Sequence, residues 1–182
     1  MARSFFFDTI TLAAPKEKIY RRLGYRKGTT RLKPHEAEET DRAIDDALSL
    51  IRLAGVAVRL AIDREKDTEI KLANGETLAS RSLAGLLRHS DEVMLMGATA
   101  GAAIMEEIKK DTERGRMTRA VVLDAAASEV VDLALDWMMA YLDGELRREN
   151  RRLTKRRFSA GYGDFPLQNQ EWIYRTLGLD QL

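Results

Sequence analysis

The sequence predicts an α+β fold, a twisted antiparallel sheet with helices packed on it, and three observations predict it. Val56, Val58, Leu60 and Ile62 alternate strictly, the period of a strand with one buried face. Asn74-Gly75 separates Ile70 and Leu72 from Thr77 and Leu78, a hairpin signal because both turn residues tolerate positive φ. From Met117 to about Arg148 apolar residues recur at helical spacing. Strands and helices in separate runs belong to the α+β class.

Taken in order, Phe5, Phe7, Ile10 and Leu12 alternate loosely and predict a strand or extended arm. A short helix carrying Ile19, Tyr20 and Leu23 follows Pro15 and stops near Gly24. Residues 25–33 are basic and irregular. Pro34 suits the first turn of a helix over about 34–53, with Glu36, Glu38 and Glu39 at its positive end and Gly55 stopping it. After the alternating strand and the hairpin, Ser80 caps a short helix reaching His89. Val93–Met96 reads as a strand that runs through Gly97–Gly101 into a helix at about 102–114. The long helix has a predicted buried stripe of Leu123, Ala127, Val130, Ala134, Met138 and Tyr141. Its length predicts a break near Ala126–Ser128. A terminal helix is expected over Pro166–Leu177, ended by Gly178.

At 182 residues the chain suits one domain over 1–182, with 1–33 as an N-terminal arm or appendage. A chain of this size buries about two thirds of its unfolded surface and needs no staple. Hydrophobic residues at 45% and charged residues at 32% fit a packed core under a heavily charged surface. The absence of cysteine removes disulfides, thiolate metal sites and cysteine nucleophiles, and His35 and His89 alone do not make a histidine metal site. No apolar run reaches bilayer length, and Asp8 cuts short the apolar run Phe5–Phe7, so a cytoplasmic protein with no membrane partner is expected. The net charge of +1 hides an uneven distribution, with acids over 36–46 and arginines over 147–157.

Two segments stand out chemically besides the arginines. Gly97-Ala98-Thr99-Ala100-Gly101 could cradle an anion at a helix start, but it lacks a Gly-Lys-Ser/Thr ending and reads as a close-packed turn. Arg157-Phe158-Ser159-Ala160-Gly161-Tyr162-Gly163-Asp164-Phe165-Pro166 combines two glycines, a proline and aromatics between a basic helix end and a short helix. Its glycines permit close backbone approach, Arg157 can pair with a carboxylate, and Tyr162 offers a ring face and a hydroxyl. Read on composition alone, it is a structural turn.

That stretch resembles the arginine-x-x-x-glycine-tyrosine loop of the activation domain of cobalamin-dependent methionine synthase. It is closer to the free-standing relatives, which carry Ser-Pro-Gly-Tyr-Gly-Asp-like loops. Val93–Gly101 is similar to the family's strand ending in Ala-Thr-x-Gly, and Ala120–Leu142 to its long helix before the loop. The resemblance covers about residues 90–178. It implies a methionine synthase activation domain-like fold and S-adenosylmethionine binding. Arg157 would then hold the methionine carboxylate, Ser159 would give backbone contacts, Gly161 would allow close approach, and Tyr162 would face the corrinoid. Glu129, Asp132 and Asp136 share a helical face, and Asp136 falls about where the family has a pocket acid for the cationic ligand. The chain departs from the full-length enzyme at Gly163 and Ala160, where prolines are usual, and lacks the Cys-Pro-(Asp/Glu)-His run.

The resemblance therefore implies a component of cobalamin-dependent methionine synthase or related corrinoid methyl transfer. In that family, inactive cobalamin is reduced by one electron and remethylated from S-adenosylmethionine. No Asp-x-His-x-x-Gly motif is present, so cobalamin is expected on a partner, a corrinoid-binding protein or methionine synthase core, with the activity exercised in trans. A flavodoxin or ferredoxin is the expected electron donor. The alternative is a nucleic-acid or protein-binding module that uses Arg147–Arg157. A third reading keeps the fold as an assembly surface without a small ligand.

Overall fold

The computed structural model describes residues 3–26 and 28–181. In chain order the elements are β1 (Arg3–Phe7), α1 (Lys16–Arg22), α2 (Pro34–Leu50), β2 (Ala54–Lys66), β3 (Glu69–Leu72) and β4 (Thr77–Ala79). They continue with α3 (Arg81–Leu87), β5 (Glu92–Thr99), α4 (Ala102–Glu113), α5 (Met117–Arg147), α6 (Asn169–Leu177) and a 3-10 turn, Leu179–Gln181. The chain divides into two compact units. The first comprises Met1–Phe7, Val56–Gly97 and Met138–Leu182; the second comprises Asp8–Gly55 and Ala98–Trp137.

The first unit is built on the sheet. Its strands run in the order β1-β2-β3-β4, and β5 also pairs with β2. Both β2/β3 and β3/β4 are antiparallel, and a register shift between Ile62 and Arg64 interrupts the first pair. The expected alternation in β2 is met in part. Val56, Val58 and Leu60 lie in one core with Ile70, Leu72, Leu78, Val93 and Leu95, and Ile62 packs against it partly buried. Ala57 is fully buried as well, so the strand is covered on both faces there. Leu83, Ala84 and Leu87 of α3 join it, as do Ala160, Phe165 and Leu177 from the C-terminal segment. At the hairpin the Gly75 amide donates to the Leu72 carbonyl at 2.9 Å, and the Leu72 amide donates to Glu76 at 2.8 Å. Only Gly75 takes positive φ, at 92°, whereas the sequence expectation gave that freedom to Asn74 as well. A turn closed by the Gly75 amide on the Leu72 carbonyl, with the pairing resumed at Glu76, needs a left-handed residue only at Gly75. Asn74 instead accepts the Glu76 amide through its side chain at 3.2 Å. Gly97 has a packing reason: a Cβ there would meet Leu179 at 2.9 Å and Leu177 at 3.0 Å.

Charged side chains tie the same unit together. Arg59 pairs with Glu92 at 2.6 Å and with Glu149 at 2.6 Å; Glu149 also holds Arg3 at 3.1 Å, and Glu92 holds Arg151 at 2.8 Å. The hydrogen bonds that Arg59 donates to Glu92 and then to Glu149 raise it above the usual guanidinium value.

The second unit is largely helical. α2 begins as expected at Pro34, and Glu36 reaches back to accept the Lys33 amide at 3.0 Å. It ends at Leu50, not near residue 53, and Gly55 belongs to β2. Ile51 turns extended, with ψ at 133°, because the next backbone groups have other partners. The Arg52 amide donates to Ala100 at 2.8 Å, and Leu53 accepts from Ile10 at 3.0 Å. Ile51 and Leu53 are both buried, so the segment gains apolar contact by leaving the helix. Asp111 is fully buried and holds Arg116 and Arg119, and Arg119 also reaches Glu107 at 2.9 Å and Asp46 at 3.0 Å. Burial pushes the Asp111 carboxyl up, but the two guanidiniums outweigh it and hold the group below the usual carboxylate range.

The helix α5 runs unbroken for 31 residues, so the expected break near Ala126–Ser128 is absent. Ala125, Ala126 and Ala127 are all buried there, and alanine is the best helix former. Five of the six residues of the expected stripe are buried; Tyr141 is 47% exposed. The buried line continues through Leu142 and Leu146, which follow Met138 at steps of four. Tyr141 sets its ring edge-on to Phe7, with the ring centroids 5.4 Å apart.

Both arginines beside Asp111 reach water, whereas the carboxylate does not. Removing one therefore leaves a buried charge half-paired. Arg119→Met is expected to lower the unfolding free energy by about 3 kcal/mol or more. Adding Asp111→Leu should return part of that loss. Urea denaturation of the three proteins checks it; equal loss in single and double variants would contradict the role given to Asp111.

Candidate functional site

The loop expected to carry chemistry lies in the first unit and is held at several points. Ala160 and Phe165 are buried in the core, and Phe158 packs against it with its ring 6.2 Å from Phe165. Between them the chain makes two turns. The Tyr162 amide donates to Ser159 at 3.2 Å, the Phe165 amide to Tyr162 at 3.0 Å, and the Gly161 amide back to Phe165 at 2.8 Å.

The strongest attachment is Asp164. Its carboxylate accepts the Ser80 hydroxyl at 2.6 Å, the Arg81 amide at 2.7 Å and the Ser82 amide at 3.2 Å. These donors are at the N-terminus of α3, where backbone N–H groups have no helical partner and a negative charge is favoured. Ser80 caps the helix as expected by accepting the Leu83 amide at 3.0 Å. The Ser80 and Ser82 hydroxyls, then the backbone amides, hold the Asp164 carboxyl well below the usual carboxylate range. Asp164 was not among the residues expected to matter. Its partner lies 84 positions away, so no local pattern announces the pair.

Four expected site residues sit on this loop. Arg157 is half-buried at its start. Ser159 is exposed, and its amide makes no hydrogen bond among the described residues. Gly161 has φ of 93°, and a Cβ there would come 3.0 Å from Leu167. Glycine is thus favoured by the loop's own backbone conformation, since the Leu167 methyl it would meet is the end of an exposed side chain that can move. Tyr162 is 69% exposed, carried outward by the turn between the buried Ala160 and Phe165. The fifth residue, Asp136, is an exposed position of α5 in the other unit. Of its two expected neighbours on that helix face, Glu129 pairs with Arg22 at 2.9 Å and Asp132 lies 3.9 Å from the same arginine.

The basic segment is more neutralised than its sequence suggests. Arg147 pairs with Asp143 at 2.8 Å, Arg148 with Glu145 at 2.9 Å and Arg151 with Glu92 at 2.8 Å. Asp143 also accepts the Leu153 amide at 3.0 Å, and this bond, followed by Arg147, lowers its carboxyl pKa. Arg152, Lys155 and Arg156 are exposed. At the glycine-rich strand end, Gly101 (φ 86°) precedes α4, and a Cβ there would stand 3.1 Å from the Arg52 carbonyl. That is the close-packed turn its composition suggested. Among the described residues no cluster of His, Asp or Glu could hold a metal ion, and no helix is long and apolar enough to cross a membrane.

No family model matches the sequence, and no curated protein matches it. Among solved structures the chain is similar to the MetH reactivation domain, determined with AdoHcy bound. Identity is 12%, the TM-score is 0.61, and the match covers 98% of this chain and 70% of that one. The chain thus has the α+β fold of that reactivation domain, as the resemblance over residues 90–178 implied. The likeness in fold also takes in the N-terminal half, where sequence showed only general character.

Because the folded-state pKa of Asp164 is depressed, its contribution to stability is present above the unfolded value of about 3.9 and is lost as pH falls through the folded one. Thermal unfolding of wild type and Asp164→Asn should therefore differ most at neutral pH and converge as pH drops below about 4. A constant gap down to pH 2 would count against the assignment. Gly161→Ala should also lower the unfolding free energy by about 1 kcal/mol or more, read as a lower midpoint, since alanine rarely adopts this φ.

Proposed function

We propose that this chain binds S-adenosylmethionine on the Arg157–Tyr162 loop and supports reductive remethylation of cobalamin carried by a separate polypeptide. The observation that carries the reading is the fold, shared over 98% of the chain with a reactivation domain determined with AdoHcy bound. The partner in this reading is a corrinoid-binding protein or a methionine synthase core, and the electron donor is a flavodoxin or ferredoxin. The protein would act in trans as a methionine synthase activation component in the cytoplasm.

The loop's groups suit such a ligand. The Arg157 guanidinium matches the methionine carboxylate by two parallel hydrogen bonds. The Ser159 amide adds a donor with no other hydrogen bond among the described residues. Gly161 keeps the backbone bare beside these groups, and the exposed Tyr162 ring offers a face for a cationic sulfonium. When bound, S-adenosylmethionine supplies an electrophilic methyl group. What this chain supplies is orientation, because none of the four loop residues is placed as an acid, base or nucleophile. Asp136 belongs to the other unit, and the reading stands on the four loop residues alone.

Isothermal titration with S-adenosylmethionine, compared with S-adenosylhomocysteine and ATP, tests the proposal. Saturable binding of the first two, but not of ATP, is expected. Arg157→Ala should weaken it about 10-fold or more, and Tyr162→Ala by a smaller factor. Absence of heat at millimolar ligand, or unchanged affinity in Arg157→Ala, would overturn the assignment of the loop.

A further inference from the structure

Residues 8–15, an irregular stretch of the second unit, border a cleft of about 380 Å³. Ile10, Leu12, Leu48 and Val130 supply apolar lining, and Asp8 and Arg52 also line it. The volume lies in the range of small-ligand sites, about 300–1,000 Å³. Apolar walls with a few polar groups are the usual composition of such sites.

Arg52 is fixed before any ligand arrives. Its amide donates to Ala100 at 2.8 Å, and its Nη1 donates to the carbonyls of Ser49 at 2.9 Å and Ile51 at 2.8 Å. Those bonds close the C-terminus of α2 and use one corner of the guanidinium. Its Nε and Nη2 make no hydrogen bond among the described residues. The edge formed by these two nitrogens is one that grips a carboxylate by two parallel bonds, and a held guanidinium loses little freedom in doing so. The amides of Thr9, Thr11 and Leu12 likewise have no acceptor among the described residues; the Ile10 amide is taken by Leu53.

We infer that this cleft is a second small-molecule site, taking an aliphatic monocarboxylate of about amino-acid size. The carboxylate sits on the free edge of Arg52, and the chain lies along Ile10, Leu48 and Val130. Asp8 in the same lining disfavours a second carboxylate by like-charge repulsion. The inference is independent of the loop proposal, because every residue it uses belongs to the second unit.

Hexanoate titrated into the isotope-labelled full chain, followed by amide chemical shifts, is the test, with hexanol and adipate alongside. Saturable shifts centred on residues 9–13 and 51–53 are expected for hexanoate, with the other two binding about 10-fold more weakly or worse. Arg52→Gln should weaken hexanoate by a similar factor. That variant also loses a helix-closing contact, so circular dichroism accompanies it. Ala13→Trp, at an exposed lining position, should block the cleft with the fold intact. No saturable shift with hexanoate, equal affinity for hexanol, or full affinity in a folded Arg52→Gln or Ala13→Trp protein would each overturn the inference.

Discussion

A carboxylate on the N-terminus of a short helix organises the part of this protein where chemistry is proposed. Asp164 neutralises the unsatisfied start of α3, and in return α3 fixes the end of the 157–164 loop. With Ala160 and Phe165 buried on either side of the turn, the backbone between them has little freedom, and Tyr162 stands out in solvent. An exposed aromatic held by a tied-down turn is preorganised, and preorganisation is what lets a loop bind without first paying the entropy of ordering. The second glycine has a backbone reason. Gly163 has φ of 55°, a left-handed conformation that glycine adopts without strain. A Cβ there would meet the Ser82 hydroxyl at an ordinary contact distance of 3.4 Å, so it is the backbone conformation and not the space that favours glycine.

Charge is used internally to a degree that the near-zero net value conceals. In the first unit, Arg59 joins Glu92 to Glu149, and Arg3 and Arg151 extend the network. In the second, Asp111 gathers two arginines around a fully buried carboxylate. Buried or half-buried pairs of this kind contribute little net stability compared with apolar packing, but a single partner removed leaves an uncompensated charge. They therefore act more as constraints on which groups meet than as a source of stability. This also bears on the arginine-rich tract that begins at the end of α5. Three of its cations are spent on acids nearby, which reduces the charge available to a polyanion.

Much of the fold was legible in the sequence because its signals are local. The alternation of β2, the turn at Gly75, Pro34 at the start of α2, Ser80 at the cap of α3 and Gly178 in the left-handed conformation after α6 each act within a few residues. The turn over 159–165 was legible for the same reason, from its glycines and the proline that follows. The ends of elements were less so. α6 begins at Asn169 and not at Pro166, because the preceding residues close i to i+3 bonds from Pro166 and Leu167. α2 stops at Leu50 because Arg52 and Leu53 have partners outside the helix.

What the sequence by itself determined is thus the type and order of the elements and the residues of the loop, since backbone preference and hydrophobic period are properties of short segments. Only the tertiary structure decided which side chains meet. It placed Asp164 on Ser80, Arg59 between Glu92 and Glu149, and Arg119 on Asp111, and it put Leu142 rather than Tyr141 in the buried line of α5. The first two of these contacts join residues 33 to 90 positions apart, and the choice on α5 depends on what packs against the helix. Folding selects such contacts through the burial of the whole core, which no window of sequence contains.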